Sequence, residues 1–534
     1  MRRVDRTTLL LLIAIGAGVM LRGAAAFSRE MITHDEAISY LSATGHQDEY
    51  DRTVEGRAGP AGWVTAAELK RLVQLEKKFV LRQIGHDLAV HDFHPPLYFW
   101  LLHLWALVIG THVWTGQLFN ALLSAVTAWL LFRFAREQLG DRQSAAVVAA
   151  TWALSPAVLL SSVEARAYDL MALCTLLMVA PVVRLSYPAR PAKPTTLVAL
   201  AVATTAGLLT HFHFVVIVAG SVIYLTIRLL RNDRRRLDLA LAAIGAGGCG
   251  FLLAHPRFLW SFRRYGGGDL FVLGELKARL NAVVATLTGF AIYGTLLKAV
   301  ALVAVAAGLI WMIATWRRRP RDSRSSEIDP AIAPVGFFLL WTGVVIIGLY
   351  VAFTSPSHAM GPKYLSPVWP FMAFVPVLVA RQLRATSLRV PAAVALVIAG
   401  FGVAAVVHSI ALERAMTNPS PVLEAHSRLV INNVQAAVLP RVIWHLPDEM
   451  LVFAADSKEL LRDPAAWLDH LGGNALYISI PDYESTVEQR REVLRLLTED
   501  HHVTAVDGGF WDLGQIYTVR RTAGGTKGGA KPSH

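Results

Sequence analysis

Cysteine is almost absent: 534 residues contain two, Cys174 and Cys249. Both lie inside apolar runs, which excludes a disulfide framework and a thiolate metal cluster. Charge is scarce as well, with 17% of residues Asp, Glu, Lys or Arg against 54% hydrophobic and a mean hydropathy of +0.44. A soluble domain carries about 25% charged residues, so this composition is that of a polytopic membrane protein. The net charge of +12 comes without a nucleic-acid-binding motif. Its Arg and Lys instead fall in short runs between apolar segments, a pattern that membrane topology imposes. A signal-peptide cleavage pattern is lacking after Met1-Arg2-Arg3, so the first apolar run reads as a retained helix. Nor does an internal repeat divide the chain into the two halves common in transporters.

What is present is a series of apolar runs. Crossing the hydrocarbon core takes about 20 residues, and about eleven runs qualify on that basis: 7–27, 115–135, 144–160, 167–185, 196–209, 212–230, 237–254, 296–316, 333–354, 364–380 and 390–412. Basic turns at 133–142, 184–193, 228–236, 317–324 and 381–389 mark the cytoplasmic side. They alternate correctly if the N-terminus is inside and the short run 97–109 lies in the outer interface rather than crossing. Residues 28–114 then form one external loop, in which 66–88 reads as a surface helix.

Beyond residue 412 charge rises and no spanning run follows. Strands are expected at 451–454, 475–480, 503–506 and 516–519, with helices at 457–471 and 487–500, giving a small α/β domain. Parity places it outside. The expected organisation is a transmembrane domain 1–412, an extracytoplasmic α/β domain 413–521 and a disordered, Gly- and Lys-rich tail 522–534.

The unusual polar residues fall on the outer set of connections. Asp35 and Glu36 follow the first helix, where a carboxylate would act as a general base toward a hydroxyl or simply cap a short helix, 35–43. His94-Pro95-Pro96 stops any helix and holds the chain extended. Glu164 and Arg166, with Tyr168 beside them, supply a carboxylate for sugar hydroxyls and a guanidinium for phosphate; a mutual ion pair is the structural reading. Asp169 lies one residue further into the apolar run, where an unpaired carboxylate is costly. His211 and His213 flank Phe212 at a tight turn but lack a third ligand of suitable spacing, so no metal is expected. Lys363 and Tyr364 open the tenth run, where Lys363 either snorkels to the interface or binds a lipid-linked phosphate. Arg257, Arg263, Arg264 and Gly266-Gly267-Gly268 belong to a long external loop suited to covering a site; the glycines match no nucleotide-binding pattern.

In this order, the acidic pair after the first helix, the His-Pro-Pro-Leu turn, Ser155-Pro156 followed by Glu164-Ala165-Arg166-Ala167-Tyr168, and Lys363-Tyr364-Leu365-Ser366-Pro367 resemble the C-type (GT-C) glycosyltransferases. The resemblance is to the family of protein O-mannosyltransferases and lipid A aminoarabinose transferases, bacterial members in particular, over residues 7–380. It implies an inverting transfer of a sugar from a polyprenyl-phosphate donor to an envelope acceptor (lipid A, a glycan, a glycolipid or a protein), in the bacterial inner membrane with the site on the extracytoplasmic side. Asp35 matches the family's base and Glu36 its acidic neighbour. His94 stands where the aminoarabinose transferases have lysine, Glu164 and Arg166 match the second external motif, and Lys363 matches the basic residue near the lipid phosphate. No cofactor is implied. The alternative is a transporter or flippase for a lipid-linked sugar, favoured by Asp169 and Lys298 in apolar runs.

Overall fold

Helices begin and end close to the hydrophobic runs. The computed structural model describes residues 5–57, 59–60, 62–92, 94–187, 192–260, 362–382, 389–415, 419–481, 486–510 and 513–522. Two units result, one from Met1–Phe27, Asp92–Tyr98 and Gly116–Ser409, the other from Ser28–His91, Phe99–Thr115 and Ile410–His534. The expected spans 296–316 and 333–354, the turn 317–324, and Arg263, Arg264, the three glycines, Lys298 and the tail from 523 lie outside the described residues.

In the helical unit the helices Arg6–Phe27, Thr115–Leu139, Tyr168–Leu185 and Arg234–Ala254 are each long and apolar enough to cross a membrane, as is the helix beginning at Arg389. Pro194–Thr210 and Phe214–Leu229 are apolar but shorter. Small residues let these helices approach, as is usual without a hydrophobic drive between them. At Gly18, for example, an added Cβ would stand 2.6 Å from the Ala153 carbonyl oxygen.

Two expected spans are broken. The run 144–160 forms Arg142–Leu154 and Pro156–Ser161 with Ser155 extended between them, because Pro156 lacks an N–H and its ring disfavours helix in the residue before it. The run 364–380 becomes a 3₁₀ segment Pro362–Val368 and helices Trp369–Met372 and Val375–Gln382, interrupted at Ala373 and Phe374.

Around the basic connections Arg142 pairs with Asp5, Arg381 with Asp141 at 2.7 Å and Arg184 with Glu137 at 2.6 Å. Glu164, His94, His211 and Lys363 lie in other connections.

The second unit is built on a six-stranded sheet: β1 (Val64–Thr65), β2 (Arg428–Ile431), β3 (Leu451–Ala454), β4 (Ala475–Ser479), β5 (His501–Ala505) and β6 (Gln515–Arg521), in the order β1-β3-β2-β4-β6-β5. β2 is parallel to both β3 and β4; the other pairings are antiparallel. Alternation sends Leu429 and Ile431 to one face and Val430 to the other, and both faces are covered, which accounts for the unbroken apolar reading of these strands. The helix Val487–Asp500 forms as expected, whereas 457–471 divides into Ser457–Arg462 and Ala465–Leu468 at Pro464. The stretch 66–88 likewise divides into Ala66–Lys70, a 3₁₀ turn Arg71–Val73 and the helix Leu81–His91, since Gln74 is extended and Phe79 takes a left-handed φ of 58°.

Sequence periodicity separates the loop 28–114 from 413–521, yet the two build one unit. β1 comes from the loop and pairs with β3, and Met31, Leu41, Tyr50, Val54, Leu69 and Leu72 share a core with Leu439, Val442 and Ile443. Each such side chain contributes roughly 1.5–3 kcal/mol on burial. Neither segment has a complete core alone.

Candidate active site

Asp35 and Glu36 open the helix His34–Thr44, whose N-cap is Thr33. The Glu36 amide donates to Thr33 Oγ1, and the Thr33 amide donates to Glu36 Oε2 at 2.7 Å. This reciprocal capping box satisfies two amides that the helix cannot. Glu36 is fully buried and also lies 3.4 Å from Arg29 Nη1. Its carboxylate is therefore engaged in fixing the helix, which the sequence alone does not separate from a catalytic role. Asp35, half-buried in the same first turn, sits where free amide N–H groups favour negative charge.

In the helical unit the second group gathers around a turn. After the Pro156 break the chain runs through the short helix Pro156–Ser161 and the turn 162–167 into Tyr168–Leu185. Asn120 holds that turn, its Nδ2 donating to the Glu164 carbonyl at 2.5 Å and to that of Arg166 at 3.3 Å, while its Oδ1 accepts from Tyr98 Oη. Arg22 supports it from the first helix, donating to Ser162 Oγ at 3.1 Å and to the carbonyls of Gly18 and Ala153. Asp169 is also fully buried and feels the Arg22 charge, but neither of its carboxylate oxygens has a hydrogen-bond partner.

Glu164 does not pair with Arg166. Lys363, 199 residues away, takes it at 3.0 Å and lies 5.6 Å from the Tyr168 ring centroid, within cation–π range. Tyr168 faces His211 (5.9 Å between ring centroids), and His211 faces His94 (6.1 Å) and His213 (4.9 Å). Arg166 is buried. Burial, with His213, His94 and Arg166 nearby, holds His211 well below its usual pKa. Its Nδ1 accepts the His213 amide at 3.2 Å, a bond only the neutral ring can make there. His94 Nδ1 lies 2.8 Å from Asp92 Oδ1; that contact orients the ring and leaves Nε2 as its other polar atom.

The structure thus brings together His94, Glu164, Arg166, Tyr168, His211, His213 and Lys363 within the helical unit. Arg257 lies exposed, three residues past the helix Arg234–Ala254. The backbone of Tyr364 is in the 3₁₀ segment, while its side chain lies outside what is described. Asp92, Asn120 and Arg22 are absent from the sequence reading. Asp92 was within reach of it, two residues before His94, but nothing local marks Asn120. Among the described residues no three His, Cys, Asp or Glu side chains are grouped to hold a metal ion.

Residues 93–260 match the family described as dolichyl-phosphate-mannose-protein mannosyltransferase. No curated protein sequence matches the chain. Among solved structures, ArnT from Cupriavidus metallidurans in the apo state superposes with a TM-score of 0.53 at 14% identity, over 96% of this chain and 98% of ArnT. The same enzyme bound to undecaprenyl phosphate gives 0.52 at 15% identity, over 95% and 97%. The archaeal oligosaccharyltransferase AglB from Archaeoglobus fulgidus, in complex with an inhibitory peptide and a dolichol-phosphate, gives 0.48 at 11%, over 88% and 69%.

Proposed function

Taking the chain as a GT-C glycosyltransferase of the family of protein mannosyltransferases and the aminoarabinose transferase ArnT, we propose that it transfers a sugar from a polyprenyl-phosphate donor to an extracytoplasmic acceptor, with Asp35 as general base. The acceptor oxygen attacks the anomeric carbon from the face opposite the leaving group, inverting it. Asp35 takes the hydroxyl proton, and the polyprenyl phosphate departs with the bonding electrons. Cations are what such a leaving group needs; Lys363 and Arg166 supply them, and Glu164 meets sugar hydroxyls. Glu36 holds the helix that carries Asp35.

The observation that carries this reading is the Lys363–Glu164 pair. Both side chains keep part of their exposure, 23% and 29%, so a donor phosphate can take Lys363 from Glu164 without unfolding anything. The undecaprenyl phosphate bound to ArnT supports a donor of that class. The test is release of polyprenyl phosphate from radiolabelled polyprenyl-phosphate sugars by the purified protein with envelope acceptors. Sugar appearing on an acceptor supports the proposal; intact donor crossing the bilayer of reconstituted vesicles, with none consumed, replaces it with transport.

A further inference from the structure

The sheet of the second unit has a topological switch point. From β2 the chain passes through the helix Leu439–Ile443 over one face, and from β3 through Ser457–Arg462 and Ala465–Leu468 over the other. In open α/β sheets a ligand enters at the carboxyl ends of the strands at this point. Here that place holds the chain's own loop. Tyr50 Oη donates to the Val434 carbonyl at 2.7 Å, Glu55 Oε2 accepts the Ala436 amide at 3.1 Å, and Gly59 packs on the Ala454 carbonyl so closely that a side chain there would collide. Asn432, between the strand ends, bonds to the Ile480 amide and Ser457.

The same surface reaches the acidic helix. Arg441, on the helix Leu439–Ile443 and only 7% exposed, donates from Nε to the Ile32 carbonyl at 2.9 Å, one residue before the N-cap. Trp444 packs on Tyr40 at 5.3 Å between ring centroids. Arg29 bridges Glu36 and Glu413, at 3.4 and 3.6 Å. A buried guanidinium is costly unless bonded, and Arg441 directs a bond to the backbone entering the Asp35 helix.

We infer that the C-terminal α/β segment is a clamp in cis that sets the Asp35 helix for proton abstraction, with Arg441 as a positioning residue, and that its switch-point crevice takes the first loop instead of an acceptor. The inference rests on Asp35 being the base. An error of about 1 Å in placing a reacting group can cost on the order of a hundredfold.

The experiment measures kcat and KM for donor and acceptor in wild type, Arg441→Gln, Arg441→Lys and Asp35→Asn. In parallel, Val64→Cys with Val452→Cys, in a Cys249→Ala background, covalently joins β1 to β3, whose Cα atoms are register partners. The expected result is a fall in kcat of about tenfold or more for Arg441→Gln with both KM values within about twofold, partial recovery in Arg441→Lys, and full turnover by the oxidised double-cysteine form. Unchanged kcat, or a loss confined to acceptor KM, overturns the inference. So does an oxidised form that works only after reduction, which would mean the crevice must open; this arm decides the matter if Arg441→Gln fails to fold. Full activity in Asp35→Asn would instead remove the base assignment itself.

Discussion

The helical unit and the loop–sheet unit hold their charged groups differently. In the helical unit Lys363 and Glu164 meet across 199 residues and are partly exposed. In the loop–sheet unit Glu36 is sealed, closing a cap and facing Arg29. One arrangement is exchangeable and the other is fixed. A departing phosphate needs a cation that can change partners, whereas a base needs a backbone that does not move. Arg22 shows that the helical unit builds fixed charge too: buried beside the turn that carries Glu164 and Arg166, it donates to Ser162 Oγ and to the Gly18 and Ala153 carbonyls.

The contrast can be broken at several points. Arg22→Met removes the bonds to Ser162 Oγ and to the Gly18 and Ala153 carbonyls, hydrogen bonds to a charged group being worth about 1.5–3 kcal/mol each. A marked drop in thermal stability in detergent is expected; unchanged stability would show that this buried charge is not part of a fixed framework. Lys363→Met is expected to lower kcat/KM for the donor roughly ten- to a hundredfold, the size of a lost charge-assisted hydrogen bond of about 1.5–3 kcal/mol, with unchanged melting temperature and acceptor KM. A lower melting temperature with unchanged donor kinetics would move Lys363 into the fixed class.

A smaller effect concerns acid. Burial, with Lys70 and Arg441 nearby, pulls His445 down to about 4 from 6.5. Because the folded value is depressed, the unfolded chain binds the proton first. Stability is therefore complete above pH 6.5 and is lost as pH falls toward 4, by at most about 3 kcal/mol. His46, also lowered mainly by burial, acts in the same direction. Thermal melts of the protein from pH 7 to 5 should fall less steeply in His445→Gln, and an identical slope would discount this residue. The smallest expected effect is none: on the proposal that Lys363 and Arg166 meet the leaving phosphate, chelation should leave transfer intact, and activity lost to a chelator and restored by a divalent ion would reverse that.

Much of this was legible where one segment decides its own structure. The helix Val487–Asp500 and the apolar runs 7–27 and 167–185 follow from hydrophobic periodicity with few interruptions. Breaks at Pro156 and Pro464 were readable in principle, but the periodicity of the flanking residues outweighed them. What periodicity cannot show is partnership at a distance. β1 has two residues and pairs with a strand nearly four hundred positions later; nothing in Val64-Thr65 announces it. Glu164 seemed to have its cation two residues away in Arg166, and only the folded chain brings Lys363 to it. Glu36 was recognisable as acidic, but its role depended on Thr33 three positions earlier, a capping signature.

The most direct test of the central claim is the single-turnover rate of sugar transfer by the purified protein with Asp35 intact and with Asp35→Asn, at saturating donor and acceptor. The account expects a fall of about a hundredfold or more, the usual contribution of a positioned base, with donor affinity and melting temperature unchanged. An unchanged single-turnover rate in Asp35→Asn would contradict it and move the base elsewhere.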